Sequence, residues 1–313
     1  MLRTFGMFTS PRRVDTGAVM QNLSKIEWPT VALFVCTYAV WIWAVFWLAG
    51  GAPWLAVPVE AVAIALHGSL QHEAIHGHPT QWASVNTALA WPPLTLVIPF
   101  LRFRDTHLAH HRDANLTDPY DDPETHFMMP ADWAALPALA RRVLMLNNTL
   151  AGRLLLGPLI GTACFLLCDL RNRHDDARVA PSWGWHLIAV AAVLMVVWLA
   201  PMPLWAYVLS AYLSLALLRI RTFLEQQADE QTRARSVIIE DRGPLALLFL
   251  NNNLHAVHHA HPQVAWYDLP ALYQRHRARF LAMNGGYRFA SYGEVFRRFL
   301  FRRKDPVAHP LRD

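Results

Sequence analysis

A chain of 313 residues that is 54% hydrophobic and only 16% charged, with 13 Trp and long apolar runs lacking a polar face, reads as an integral membrane protein rather than as soluble domains. The formal charge of +5 sits largely on Arg residues outside those runs, and no basic stretch is interleaved with aromatics, so nucleic acid is not an expected partner. Cys36, Cys164 and Cys168 lie in apolar surroundings without disulfide or CxxC spacing.

Residues 1–28, with Arg3, Arg12, Arg13 and Lys25, read as a cytoplasmic amino-terminal arm. No small-residue cleavage site follows the first apolar run, so the first helix is expected to stay attached. Residues 29–50 are uninterrupted apolar, long enough for the roughly 20 helical residues that cross a hydrocarbon core. Gly50-Gly51-Ala52-Pro53 breaks that helix, and residues 54–75 return as the second arm of a hairpin. Pro92, Pro93 and Pro99 would interrupt hydrogen bonding in 84–101, which predicts an interfacial or re-entrant piece. Residues 131–168, carrying Arg141, Arg142 and Arg153, predict an interfacial helix. A second hairpin follows over 183–200 and 204–223, turned at Pro201-Met202-Pro203.

The expected architecture is all-α: four transmembrane helices as two hairpins within a 29–275 domain, with interfacial helices, a cytoplasmic His-rich cap holding a di-metal site, and a basic cytoplasmic tail at 276–313. Neither hairpin turn carries Lys or Arg, so the positive-inside rule places the charged segments, and every His cluster with them, on the cytoplasmic side. The tail, with Arg297, Arg298, Arg302, Arg303 and Lys304, suits an acidic carrier protein or anionic headgroups.

The chemistry resides in histidines. His107-x-x-His110-His111 recurs as His255-x-x-His258-His259, and His72-x-x-x-His76 adds a pair. On a helix, positions i, i+3 and i+4 share one face, so each triplet is expected to aim at a common partner. Neutral imidazole suits iron, zinc, copper and nickel, and a tetrahedral zinc takes about four ligands, so eight aligned imidazoles favour two ions. Histidines capping helix-end carbonyls are the bland alternative, and the repeat argues against it. His72-Glu73-x-x-His76 also matches the HExxH of membrane zinc metallopeptidases, which would leave six histidines idle. A metal transporter would want ligands near the bilayer midplane, and these clusters sit outside it.

Other residues carry weaker signals. Asp118, Asp121, Asp122 and Glu124 are candidates to orient metal-bound imidazoles, or they form a solvated turn. His67, His78, His126 and His261 lie near the clusters, and His78 and His261 are the two worth testing. Glu60 is an acid inside a membrane run.

The three histidine boxes over four expected crossings resemble the membrane fatty-acid desaturase and hydroxylase superfamily, across residues 30–275. The flanks His111-Arg112-Asp113, Leu116-Thr117-Asp118-Pro119 and Asn251-Asn252-Asn253-Leu254-His255 are similar to its bacterial acyl desaturase-like branch. The resemblance implies two iron ions held by the eight histidines, O2 as co-substrate, and removal of hydrogen from a fatty acyl or other long hydrocarbon chain. It also implies a multi-pass protein of the bacterial inner membrane and a separate electron carrier of ferredoxin or rubredoxin type with its reductase; an acyl carrier protein is a further candidate partner. Desaturation is the leading outcome, with hydroxylation or decarboxylation to a terminal alkene as alternatives on the same scaffold. One departure stands out: where the branch carries a further histidine after an Arg-Thr-Phe-x-Glu run, Arg221-Thr222-Phe223-Leu224-Glu225 is followed by Gln226. Glu225, Gln226, His78, His261, Asp118 and Asn251 are therefore the additional residues expected in or beside the site.

Overall fold

A computed structural model describes residues 26–112 and 116–312. Most of the expected amino-terminal arm, and Asp113 of the central motif, fall outside the described residues. Helix α1 runs from Trp28 to Gly51, and α2 from Pro53 to Ile75. Pro53 starts α2 where a missing N–H costs nothing. The second hairpin joins α8 (Val179–Trp198) to α9 (Leu204–Thr222). Helix α8 begins before the expected 183 because Pro181 falls in its first turn, where proline is tolerated.

Helix α2 is the hub, packed against α1 and α9. Gly68 permits the close approach of α9, since a Cβ there would stand 2.8 Å from Leu218 Cδ1. Trp41, Val57, Ile64, Leu94, Val193 and Tyr207 fill the space between the hairpins. The outer faces expose Trp47, Trp54, Leu187 and Trp198, apolar surface that a bilayer would cover.

Between the hairpins the chain departs from expectation. Residues 84–101 form only a short helix, α3 (Ala83–Ala90), then run irregularly past Pro92, Pro93 and Pro99 into α4 (Phe100–Arg112). The single helix expected over 131–168 is three: α5 (Pro130–Ala135), α6 (Ala138–Asn147) and α7 (Leu150–Asn172). Pro137 separates the first two, and Thr149 caps the third by accepting from Gly152 N–H at 3.0 Å. Among the described residues five helices, α7 included, are long and apolar enough to cross a membrane.

Both ends of α7 meet the same end of the α8–α9 hairpin. Leu150 packs with Phe223 and Leu224 just beyond α9. At the other end, buried Asp169 accepts from Arg102 of α4 at 2.8 Å and from Trp183 of α8 at 2.8 Å. That contact also anchors α4, the helix bearing the central histidines.

The remaining chain caps this end with α10 (Pro244–Leu248), α11 (His255–Ala260), α12 (Leu269–Met283), α13 (Tyr292–Phe299) and a two-residue parallel pairing of β1 (Ile238–Ile239) with β2 (Arg288–Phe289). Residues 276–313, expected as a basic tail, are largely built into this cap: Phe289, Tyr292 and Val295 are core, and Lys304 is buried, donating to the Gln226 carbonyl.

Candidate metal centre

Eight imidazoles converge where α2, α4 and α11 meet. His72 closes the last turn of α2 and His76 follows it; His107, His110 and His111 come from α4; His255, His258 and His259 come from α11. Their ring nitrogens sort into two groups. His72, His76, His107, His111 and His258 form one, and His110, His255 and His259 the other, with all ligand atoms in each group within 4.8 Å of one another. His111 and His259 stack at 4.2 Å between centroids and join the two.

This partition corrects the expectation that each triplet serves one partner. In α4 the i, i+4 pair His107 and His111 goes to the larger group and His110 to the smaller. In α11 the pair His255 and His259 goes to the smaller group and His258 to the larger. The physical reason is angular. Adjacent helical positions diverge by about 100°, so His110–His111 and His258–His259 splay to either side of a shared face.

Five of the eight ring Nε2 atoms aimed inward have no protein partner. Nε2 of His72, His111, His255, His258 and His259 is buried without a hydrogen bond, an expensive arrangement unless a cation accepts the lone pairs. His76 Nε2 and His107 Nε2 face each other at 3.1 Å. Burial and neighbouring imidazoles hold His111 down at about 3 and His76, His255, His258 and His259 well below the ordinary imidazole value. Neutral rings with converging lone pairs are the donor set a transition metal requires, so these residues fit a pair of metal ions.

The opposite ring edges are held in place. His107 Nδ1 donates to Glu124 at 2.9 Å, His110 Nδ1 to Asp122 at 2.7 Å, and His255 Nδ1 to Asn252 at 3.2 Å. Such bonds fix tautomer and orientation. Burial alone would lower His110, but the Asp122 bond, with Glu124 and Glu225 nearby, raises it to about 9. Asp122 is itself fixed by the backbone N–H groups of Thr117 and Glu124 at 2.8 and 2.9 Å.

The weaker candidates divide. Gln226 Nε2 lies 2.9 Å from His110 Nε2, against the three-histidine group. Glu225 lies 3.8 Å from His255 Nδ1 and is ion-paired with Arg221 at 3.1 Å. Asp118 touches no cluster histidine; it accepts from the Tyr120 and Asp121 backbone and pairs with Arg312. Asn251 instead donates to the Trp266 carbonyl at 2.9 Å. Its neighbour Asn252 holds His255, a role hidden in the sequence because Leu250 and Asn251 take positive φ and turn the chain. His78 donates to Glu27 at 2.6 Å, and His261 packs against Phe280; neither joins the groups. Glu73 accepts from the Trp266 backbone N–H at 3.2 Å, and His72 and His76 share their group with three further histidines, which is not a peptidase arrangement.

An apolar groove of about 1120 Å³ opens between α1, α3 and α8, lined by Tyr38, Trp41, Trp91, Ile188 and Val193. Tyr38 also accepts from or donates to His67 at 2.9 Å, five residues before His72.

A family model described as fatty acid desaturase matches residues 51–291, which contain every residue of the two histidine groups. No curated protein matches the chain.

Proposed function

The chain belongs to the fatty acid desaturase family, and from that premise we propose that it is an O2-dependent di-iron oxidoreductase that desaturates a fatty acyl or similar long hydrocarbon chain. The observation that carries this reading is the pair of buried histidine groups with unpartnered Nε2 atoms. The larger group would hold one iron and the smaller, with Gln226 or Glu225 completing it, the other. Bound iron would supply the redox chemistry that couples O2 reduction to breaking an unactivated C–H bond. In balance, the chain loses two hydrogens while O2, two electrons and two protons leave as two waters.

This chain's own residues prepare the site. Asp122, Glu124 and Asn252 hold His110, His107 and His255 in one tautomer, so that the lone pairs stay aimed inward. The groove between α1, α3 and α8 suits an acyl chain, with a largely apolar lining in which Ser84, Thr87 and Arg104 are the polar exceptions. The electrons would come from a separate ferredoxin- or rubredoxin-type carrier.

Four crossings with the histidine centre on the cytoplasmic side complete the reading. Support comes from α7, whose two ends meet the same end of the α8–α9 hairpin and which would therefore lie along the membrane surface. The test is mass spectrometry of lipids and hydrocarbons from a host making this chain beside one making His110→Ala. A product lighter by two hydrogens, absent with the variant, is expected. A hydroxylated product or a terminal alkene one carbon shorter would assign the scaffold to those outcomes instead.

A further inference from the structure

The chain after α13 folds back over the corner between α6 and α7. Ala151 N–H donates to the Leu300 carbonyl at 2.9 Å, Lys304 N–H to the Asn148 carbonyl at 3.0 Å, and Asn148 Nδ2 to the Asp305 carbonyl at 2.5 Å. Between this segment and α6 lies a surface groove of about 980 Å³. Its lining combines Met145, Leu146 and Phe301 with Arg142, Arg302 and Arg303. All three arginines are exposed, and Phe301 is 81% exposed beside them. Among the described residues no carboxylate pairs with any of the three; Asp305, the one acid in the lining, is held by Lys304 at 3.3 Å. Lys304 also ties the groove to the metal centre. Its Nζ donates to the Gln226 carbonyl, and the Gln226 side chain reaches His110 Nε2 at 2.9 Å.

Unpaired cations beside an exposed aromatic side chain draw in an acidic partner over a distance and then anchor it. The desaturation proposed above consumes two electrons per turnover, and they must enter from the protein surface. We propose that this groove docks the acidic face of a small one-electron iron–sulfur carrier protein beside the smaller histidine group. Each encounter oxidises the carrier by one electron and reduces the metal centre by one, so two encounters supply one turnover. Electron-transfer encounters are weak and bury little area, so complementary charge counts for more in them than extent of contact. The position supports a redox partner, because a molecule in the groove is separated from His110 by one lysine and one glutamine. An anionic lipid headgroup would suit the same arginines but makes no use of that proximity. The inference rests on the redox reading of the histidine centre.

Binding of an oxidised plant-type ferredoxin to the full-length protein in detergent, followed by microscale thermophoresis, tests it. Affinity should fall at least about tenfold as salt rises from about 0.01 M to about 0.15 M. At low salt, Arg142→Glu and Arg302→Glu should each weaken binding at least about tenfold. The same charge change at Arg297, exposed on α13 but outside the groove, should weaken it by no more than about twofold. Iron content and melting temperature should be unchanged in all three variants. No ferredoxin binding by the wild-type protein overturns the proposal, and so does equal weakening by Arg297→Glu. If Arg142→Glu and Arg302→Glu instead erase a preference for phosphatidylglycerol over phosphatidylcholine and leave ferredoxin affinity intact, the surface serves lipid and the proposal falls. Binding requires no turnover, so failure of the desaturation reading, seen as a missing product, is distinguishable from failure of the docking, seen as missing ferredoxin affinity.

Discussion

Gln226 Nε2 stands 2.9 Å from His110 Nε2, in the group that has three histidines where its neighbour has five. Lys304 and the Ser236 bridge hold the Gln226 backbone, so the side chain is fixed against the centre rather than free to leave it. An amide can turn its oxygen to a metal, but it binds iron more weakly than imidazole does. Gln226→His should therefore slow loss of the second metal to a chelator, by about tenfold on the scale of a changed ligand environment. Gln226→Ala should retain metal with a milder loss of rate, and Glu225→Ala should lower bound iron if the carboxylate compensates. Unchanged iron and activity in all three variants would remove this position from the metal centre.

Asp122→Asn removes the carboxylate that receives the His110 Nδ1–H. Metal affinity of the smaller group should fall about 10–100-fold, measured by chelator competition, while the larger group keeps its ion. Parallel loss from both groups would show that Asp122 supports the loop and not the imidazole.

The same pair sets a pH dependence in metal-free protein. His110 is raised in the folded state to about 9 from an ordinary 6.5, so its contribution to stability is fully present below about 6.5 and is lost as pH rises through 9. The melting temperature of metal-free protein should decline across that window, and Asp122→Asn should flatten the decline. An unchanged slope in the variant would assign the dependence to other groups.

Arg102 is buried between Asp169 and Asp176 at 2.8 and 3.0 Å. Arg102→Leu strands Asp169, at a cost of about 3–5 kcal/mol. Adding Asp169→Leu should restore most of it, as read by thermal unfolding in detergent. If the double variant is no more stable than the single one, the pair is not what holds α4 to α7 and α8.

The membrane reading places both ends of α7 on one side. Cysteines introduced singly at Asn147, Asn172, Asp121 and Arg297 should all react with a membrane-impermeant reagent from the cytoplasmic face. Labelling of the Asn147 and Asn172 positions from opposite faces would mean that α7 crosses.

The eight clustering histidines and both hairpins were legible in the sequence because each is a local signal: spacing on a helix, or an apolar run ended by Gly and Pro. Their partition was not. His110 and His111 are neighbours in sequence, and only the approach of α11 assigns them to different groups. For the same reason Asp122, not Asp118, supports a ring. The turn at 117–122 folds Asp118 back on its own backbone and leaves Asp122 facing α4. The break before α7 carries no local signal, because Arg141, Arg142 and Arg153 look alike on a line, whereas in the fold Thr149 caps a new helix and Arg153 turns inward.

The central claim is that eight histidines form two metal sites, and metal content per chain tests it most directly. Protein made with ample iron should carry close to two irons, and His259→Ala, which removes a ligand from the three-histidine group alone, should bring the figure towards one. A single stoichiometric zinc in the wild-type protein, or two irons undisturbed by His259→Ala, would contradict the account.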